Sequence, residues 1–370
     1  MLDFHGIIFA YRTTPALGEL VSKRTAASLP FCGRYRLIDF ALSSMANAGI
    51  RDVGVIMQRD YQSLLDHIGS GKAWDMSRKN GGLRILPPFG LPEYHTGNYT
   101  GTMEALNAVS EYVRDIPQEH VVLLLGDMAA NIDLTPVLQQ HLRSGLPVTA
   151  ICGDHTPDGP HHRYVTDESG IVKQALFFRE GDCEGLPSLE GYVIEKQTLL
   201  DMMDDCYAKN LYRFHRDAIA NYLAEGGLMG TCVHHGYAQV IRTVEAYYHA
   251  NKDMLCAEKR RELFPADRPV RTHTHEGVST YYGVNAGARG SLVADNCIIE
   301  GELVDSVVFG GVRVEEGAKL ENCIIMRGCT VGKNAHLCNV IADKNCTFSE
   351  GTMLIGSPKL PTVVPKGKEI

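Results

Sequence analysis

Apolar residues along this chain follow two different rhythms. Up to about residue 255, short apolar runs alternate with segments at helical spacing. Residues 6–10, Gly-Ile-Ile-Phe-Ala, predict a buried strand, and residues 35–48, with Leu37, Phe40, Ala41 and Met45 near helical spacing, predict a helix. The same reading gives strands at 53–57, 121–125 and 148–152 and helices at 61–68, 103–113 and 136–143. This βαβ rhythm predicts a mostly parallel sheet covered on both faces. From 153 to 236 the pattern is more mixed, with strands expected at 170–178 and 192–195 and helices around 199–203 and 217–223. A helix over 244–255 closes the domain, and 264–276, with its prolines and histidines, reads as a linker.

From about residue 291 helical periodicity vanishes and apolar residues recur every six positions. Val308, Val314 and Leu320 form one series; Ile325, Val331 and Leu337 form a second after a one-residue slip, and Phe348 and Leu354 continue it. Gly311, Gly317, Gly328, Gly332 and Gly351, with Asn322, Asn334 and Asn345, punctuate the series. Such hexapeptides predict a parallel β-helix, each unit making one flat face with its apolar residue pointing inward and Gly or Asn at the corners. A β-sandwich would alternate every two residues and would not hold a six-residue phase. The expected domains are therefore 1–262, a linker at 263–290, and 291–370.

Composition narrows the class. A chain of 370 residues favours two domains, and 44% hydrophobic with 22% charged residues fits a globular protein. The net charge of −8 has no strong block behind it, so no nucleic-acid partner is expected. The opening MLDFHGIIFAYRTT has no positive n-region, long apolar run or small-residue cleavage site. Neither a signal peptide nor a membrane span is expected, and the expected location is cytoplasmic. The eleven cysteines are scattered without a CxxC pair and read as small hydrophobes, not as a zinc or disulfide framework.

In a doubly wound sheet the loop after the first strand is where a ligand binds. Here that loop, YRTTPALG at 11–18, has no glycine cluster, and its bulky residues would keep backbone amides from a triphosphate. The segments beyond it are more telling. The runs FCGRYRLIDFALS at 31–43 and NAGI at 47–50 resemble the signature F-G-G-x-Y/F-R-x-I-D-F-x-L-S-N…N-S-G-I of the bacterial ADP-glucose pyrophosphorylase family. In the same order, YTGTMEA at 99–105 resembles that family's Y-x-G-T-A-D-A, LGD at 125–127 its G-D-H, and RTVEAYY at 242–248 its G-T-x-x-A-Y-W. The resemblance covers nearly the whole chain. It implies a Rossmann-like, GT-A-like nucleotidyltransferase domain with a mixed sheet, followed by a left-handed parallel β-helix.

Departures from the family fall where its chemistry is done. Its phosphate loop G-G-x-G-T-R-L aligns with residues 11–17, which replaces each glycine and puts Ala16 at the arginine that contacts the transferring phosphates. The lysine of R-A-K-P-A falls on Ala26. Of the two aspartates that hold magnesium in the family, one is kept as Asp127 and the other aligns with Val240. The sugar-phosphate lysine of V-E-K-P has no counterpart in 175–180, although Arg179 is a partial substitute. Nucleotidyl transfer depends on positioning and on cations that absorb developing charge.

The resemblance therefore implies a non-catalytic regulatory subunit that joins catalytic ADP-glucose pyrophosphorylase subunits in a hetero-oligomer, expected to be a tetramer, in glycogen synthesis. No cofactor is expected; Mg2+ belongs only to the alternative, an active glucose-1-phosphate adenylyltransferase. A stand-alone ligand sensor is the third reading. Gly101, Thr102, Asp127 and Arg179 would line a residual nucleotide or sugar pocket, and Arg34 and Arg36 would read a phosphorylated effector. Asp127 is the one remnant of a metal site. The pairs His161-His162 and His234-His235 are not expected to bind metal, because adjacent strand residues point to opposite faces.

Overall fold

The strand Phe4–Phe9 is buried along its whole length and lies between Val53–Ile56 and His120–Leu125, parallel to both. A strand paired on both edges and covered on both faces has no solvent side, which is why it reads as a continuous apolar run. These strands belong to a computed structural model that describes residues 4–79, 81–87, 99–155, 161–179, 184–273 and 277–370. The chain forms two compact units. One comprises Met1–Arg12, Ile38–Val240 and Leu263–Arg271; the other comprises Thr13–Leu37, Ile241–Glu262 and Thr272–Ile370.

The first unit is built on a nine-stranded mixed sheet. Its parallel half extends from Phe4–Phe9 through Val53–Ile56 to Leu83–Leu86. In the other half, Leu186–Glu195 runs antiparallel to both His120–Leu125 and Val148–Gly153, and Met229–His234 runs parallel to Val148–Gly153. The reversal has a physical cause. Parallel neighbours need a long crossover, usually helical, whereas the described residues after Val148–Gly153 form the antiparallel pair His161–Thr166 and Val172–Arg179. The sheet is thus mixed, as the resemblance implied, and less parallel than the βαβ rhythm alone suggested.

Two expected helices are interrupted. The segment 103–113 divides into Thr102–Asn107 and Ser110–Arg114 around Val109, whose φ is −119°. The segment 217–223 begins earlier, as the π-helical turn Phe214–Ile219, and continues as Ala220–Ala224. Single π-turns often occur at functional sites. Among the described residues no helix is long and apolar enough to cross a membrane.

Two buried histidines of this unit make its stability depend on pH. His5 Nε2 lies 2.7 Å from the Tyr112 hydroxyl, and His141 lies between Thr149 Oγ1 at 2.8 Å and His120 at 3.1 Å. Burial pulls both imidazoles down to about 4. Folding therefore excludes protons that the unfolded chain binds below its ordinary histidine pKa of about 6.5. Stability is full above pH ~6.5 and declines as pH falls toward 4. Urea midpoints are expected to fall steadily between pH 7 and pH 5, and His141→Gln is expected to flatten that slope.

The second unit contains three five-stranded parallel sheets, the faces of the β-helix. Its interior is made of stacked ladders: Ile299, Val314, Val331 and Phe348 on one face, Leu303, Leu320, Leu337 and Leu354 on the next, and Val308, Ile325, Ala342 and Val364 on the third. The one-residue slip is a corner. Asp305, Asn322 and Asn339, with φ of 46°, 53° and 52°, turn in the left-handed region, where short polar side chains are tolerated. A sharper turn saves one residue per coil. Coiling also begins earlier than residue 291: Tyr281–Tyr282 and Gly287–Arg289, within the expected linker, pair with Ile298–Ile299 and Glu302–Val304. Tyr281 and Tyr282 are exposed, so they hide the inward phase.

Within this unit the helix Val244–Asp253 is capped by Thr243, whose Oγ1 accepts from Ala246 N at 3.0 Å. Tyr248 donates to Asn322 O at 2.7 Å and Lys252 Nζ to Asn322 Oδ1 at 2.7 Å, while Tyr247 donates to Pro30 O at 2.5 Å. Arg24 and Asp343, both buried, form an ion pair. The segment resembling G-T-x-x-A-Y-W therefore serves as a strap on the coils.

Candidate functional site

Parallel strands Phe4–Phe9 and His120–Leu125 end side by side, so the residues that follow them share the crevice where open α/β sheets bind ligands. After the first strand comes Tyr11, 5% exposed. Its hydroxyl donates to Thr102 Oγ1 at 3.2 Å, and its ring meets Tyr99 edge-on with centroids 5.3 Å apart. Burial pushes the Tyr11 phenol up, Arg12 pulls it down, and Asp127 adds a smaller upward push. An aromatic ring therefore fills the position where the family needs a bare backbone. Arg12 follows and donates to Glu190 Oε2 at 2.8 Å.

Asp127 stands after the second strand and is 1% exposed. Neither carboxylate oxygen has a hydrogen-bond partner among the described residues. The next strand, Met128–Ala130, pairs antiparallel with Ala238–Val240, placing Val240 opposite Met128. The two positions aligned with the family's magnesium aspartates are thus brought together by one short ladder. One offers oxygen and the other offers methyl groups.

Gly101 precedes the helix Thr102–Asn107, and a side chain there would collide with the carbonyl oxygen of Tyr212. Its closeness is to this carbonyl, which also accepts from Met103 N at 3.0 Å. Thr102 is 8% exposed and faces Tyr11. Arg179 ends the strand Val172–Arg179 with its Cα opposite His161, and its side chain lies outside the described residues.

In the second unit, residues equivalent to the end of the phosphate loop form the 3-10 helix Pro15–Val21, with Leu17 and Leu20 buried and Ala16 exposed. Thr14 Oγ1 anchors its start by donating to Arg242 O at 2.7 Å. Ala26 is 1% exposed, in a place with no room for a lysine's charge without rearrangement. Arg34 is exposed on the turn between Pro30–Phe31 and Tyr35–Arg36. Arg36 belongs to a cationic cluster with Arg24, Lys344 and Lys366, around Asp343. Burial first, then Arg36 and Arg24, pull the Lys344 ammonium down to about 7.

The chain is similar to known proteins over most of its length. The nucleotidyl transferase family matches residues 17–177, and the GlmU-like C-terminal hexapeptide family matches 278–359. "Glycogen biosynthesis protein GlgD" of Geobacillus stearothermophilus is 33% identical over 313 residues, covering 85% of this chain and 81% of its own. Its Bacillus subtilis (strain 168) namesake is 30% identical over 318 residues, covering 85% and 82%. A glucose-1-phosphate adenylyltransferase of Clostridium botulinum (strain Alaska E43 / Type E3) is 31% identical over 314 residues, covering 83% and 81%. The chain belongs to this GlgD and glucose-1-phosphate adenylyltransferase family.

The family's magnesium can be tested against these residues. Mg2+ demands near-octahedral oxygen ligation and takes one or two carboxylates beside waters and phosphates. Asp127 fits as one such ligand, with its buried, uncommitted oxygens. Val240 does not, and Tyr11 and Arg12 fill the phosphate side, so the two-carboxylate site is not reproduced.

Glu190, His162 and His215 were not legible as site residues. Glu190 sits in a bulge of Leu186–Glu195 with φ of 54°, left-handed backbone for a long side chain. His215 Nε2 lies 3.2 Å from Glu190 Oε2, and its Nδ1 lies 2.7 Å from the Tyr192 hydroxyl. His162 stacks on His215 at 4.1 Å between centroids. Burial pulls the His215 imidazole down to about 3, with Arg12 adding to it. The alternation that sends His161 and His162 to opposite faces is respected; the second and third partners come from other elements.

Proposed function

We propose that this chain is a non-catalytic regulatory subunit in glycogen biosynthesis, which joins catalytic glucose-1-phosphate adenylyltransferase chains and modulates them. One observation carries the reading: Val240 stands opposite Met128, beside Asp127, in a crevice where Tyr11 and the Arg12–Glu190 pair replace a phosphate-binding loop. The names of its relatives, adenylyltransferases and GlgD proteins alike, support the pathway. In this reading Gly101, Thr102, Asp127 and Arg179 line what remains of the nucleotide or sugar pocket. The retained frame is then kept for its surfaces.

The test is a titration of this chain into a purified catalytic adenylyltransferase from the same cell. Co-elution as a hetero-oligomer, together with higher ADP-glucose formation per catalytic chain or a shifted effector half-saturation, is the expected result. Separate elution with unchanged kinetics would sink the reading.

Arg36 and its cationic neighbours, with Arg34 at the edge, form the effector site in this proposal. Lys344 carries charge below pH ~7 and loses it above. Inorganic sulfate, whose own charge does not change over this range, is accordingly expected to bind more weakly at pH 8 than at pH 6.5, by calorimetric titration, and Lys344→Met is expected to remove that pH dependence.

A further inference from the structure

We propose that His162, Glu190 and His215 form a binding site for a divalent transition metal of the zinc class, separate from the family's magnesium position. The three come from the strand His161–Thr166, the strand Leu186–Glu195 and the π-turn Phe214–Ile219. One donor atom of each lies within 4.8 Å of the other two, and the residues are 2%, 4% and 8% exposed. Zinc bonded to nitrogen and oxygen at about 2.0–2.2 Å holds tetrahedral donors roughly 3.4 Å apart. His215 Nε2 and Glu190 Oε2 already lie 3.2 Å apart, and a tetrahedral ion held by these three donors would keep a fourth position for water.

Two features of the backbone aim these donors. Leu189 and Glu190 are inserted between the paired positions Ser188 with Cys152 and Gly191 with Ile151, a bulge that turns Glu190 with φ of 54°. Bulges re-aim side chains beside sites, and left-handed backbone at a long residue persists only where its surroundings impose it. His215 is carried on a π-turn, a second local irregularity at the same spot. Behind it the Tyr192 hydroxyl lies 2.7 Å from Nδ1 and 2.6 Å from the Tyr164 hydroxyl. Nδ1–H donating to Tyr192 leaves Nε2 as the ligand, the outer-shell arrangement that orients metal-binding imidazoles.

Arg12 is the competitor. Its guanidinium donates at 2.8 Å to Glu190 Oε2, the same oxygen that faces His215 Nε2. At 19% exposed, the Arg12 side chain reaches solvent. Metal entry exchanges one cation for another at this carboxylate, and Arg12 turns outward.

The full chain, stripped with a chelator, is titrated with Zn2+ and separately with Co2+. The proposal expects one tightly held zinc per chain and a melting temperature that rises with zinc concentration. Co2+ should give visible bands of a four-coordinate nitrogen and oxygen site, without the sulfur charge-transfer bands that binding at the exposed Cys256 would bring. His162→Gln and Glu190→Gln are each expected to weaken zinc by roughly a hundredfold or more, since even outer-shell losses cost 10–100-fold. Arg12→Gln, which keeps all three donors and removes the competing charge, is expected to tighten it about tenfold. Absence of zinc stabilisation in both the folded wild-type chain and Arg12→Gln would overturn the site. So would zinc binding that His162→Gln leaves intact, or cobalt spectra of thiolate ligation.

Discussion

Purified alone and supplied with ATP, glucose 1-phosphate and Mg2+, the chain is expected to form ADP-glucose about five or more powers of ten more slowly than a catalytic relative. Removal of a single preorganised charge-stabilising group costs on the order of 3 kcal/mol, and each 1.4 kcal/mol is about a factor of ten. The resemblance in motif puts three such losses at Ala16, Ala26 and Val240, and their effects need not add. The structure adds obstruction to loss: Tyr11 is buried against Thr102 and Tyr99, and Arg12 is held by Glu190. Val240→Asp alone should therefore restore nothing measurable. Val240→Asp with Tyr11→Gly and Arg12→Gly opens the crevice and returns one charge, and a small recovery is expected in a radiolabelled assay. Turnover by the wild-type chain near that of a relative would defeat the regulatory reading outright.

The largest effect on stability is expected from Arg24→Ala. Arg24 and Asp343 are 4% and 1% exposed and paired with each other inside the second unit. Removing Arg24 leaves Asp343 charged and buried without its direct partner, which costs up to about 3–5 kcal/mol, less what the nearby Lys344 and its cationic neighbours offset. Asp343 also accepts from Lys344 N at 2.7 Å, so its place on the coil is doubly constrained. A marked drop in melting temperature should follow Arg24→Ala, and the double change Arg24→Met with Asp343→Leu should recover much of it. Lys209→Ala, in an exposed pair with Asp205, should shift the melt little. Equal effects of the two alanine changes would show that burial does not set the cost here.

Much of the fold was legible because it is written in local periods. An inward residue every six positions forces a flat-faced coil, and Val314 stacks on Val331 and Leu320 on Leu303 as that phase requires. The first coil was missed because Tyr281 and Tyr282 are exposed and break the inward phase. The reversal of Leu186–Glu195 was missed because a strand's direction is set by what connects it, not by its own composition. The break at Val109 was missed because apolar spacing continues across it.

At the candidate site, the resemblance in residue order implied which groups are kept and which are replaced. Asp127, Val240, Ala16 and Ala26 were identified by their neighbours in motif, and the pairing of Met128 with Val240 puts the first two side by side. Only the tertiary structure decided what occupies the crevice instead. Tyr11 meets Thr102 across 91 positions, Arg12 meets Glu190 across 178, and His162, Glu190 and His215 converge from separate elements. Local patterns determine elements because a side chain's face follows from its spacing along one backbone. Convergence depends on strand order, a bulge and a π-turn, which arise only when those elements pack.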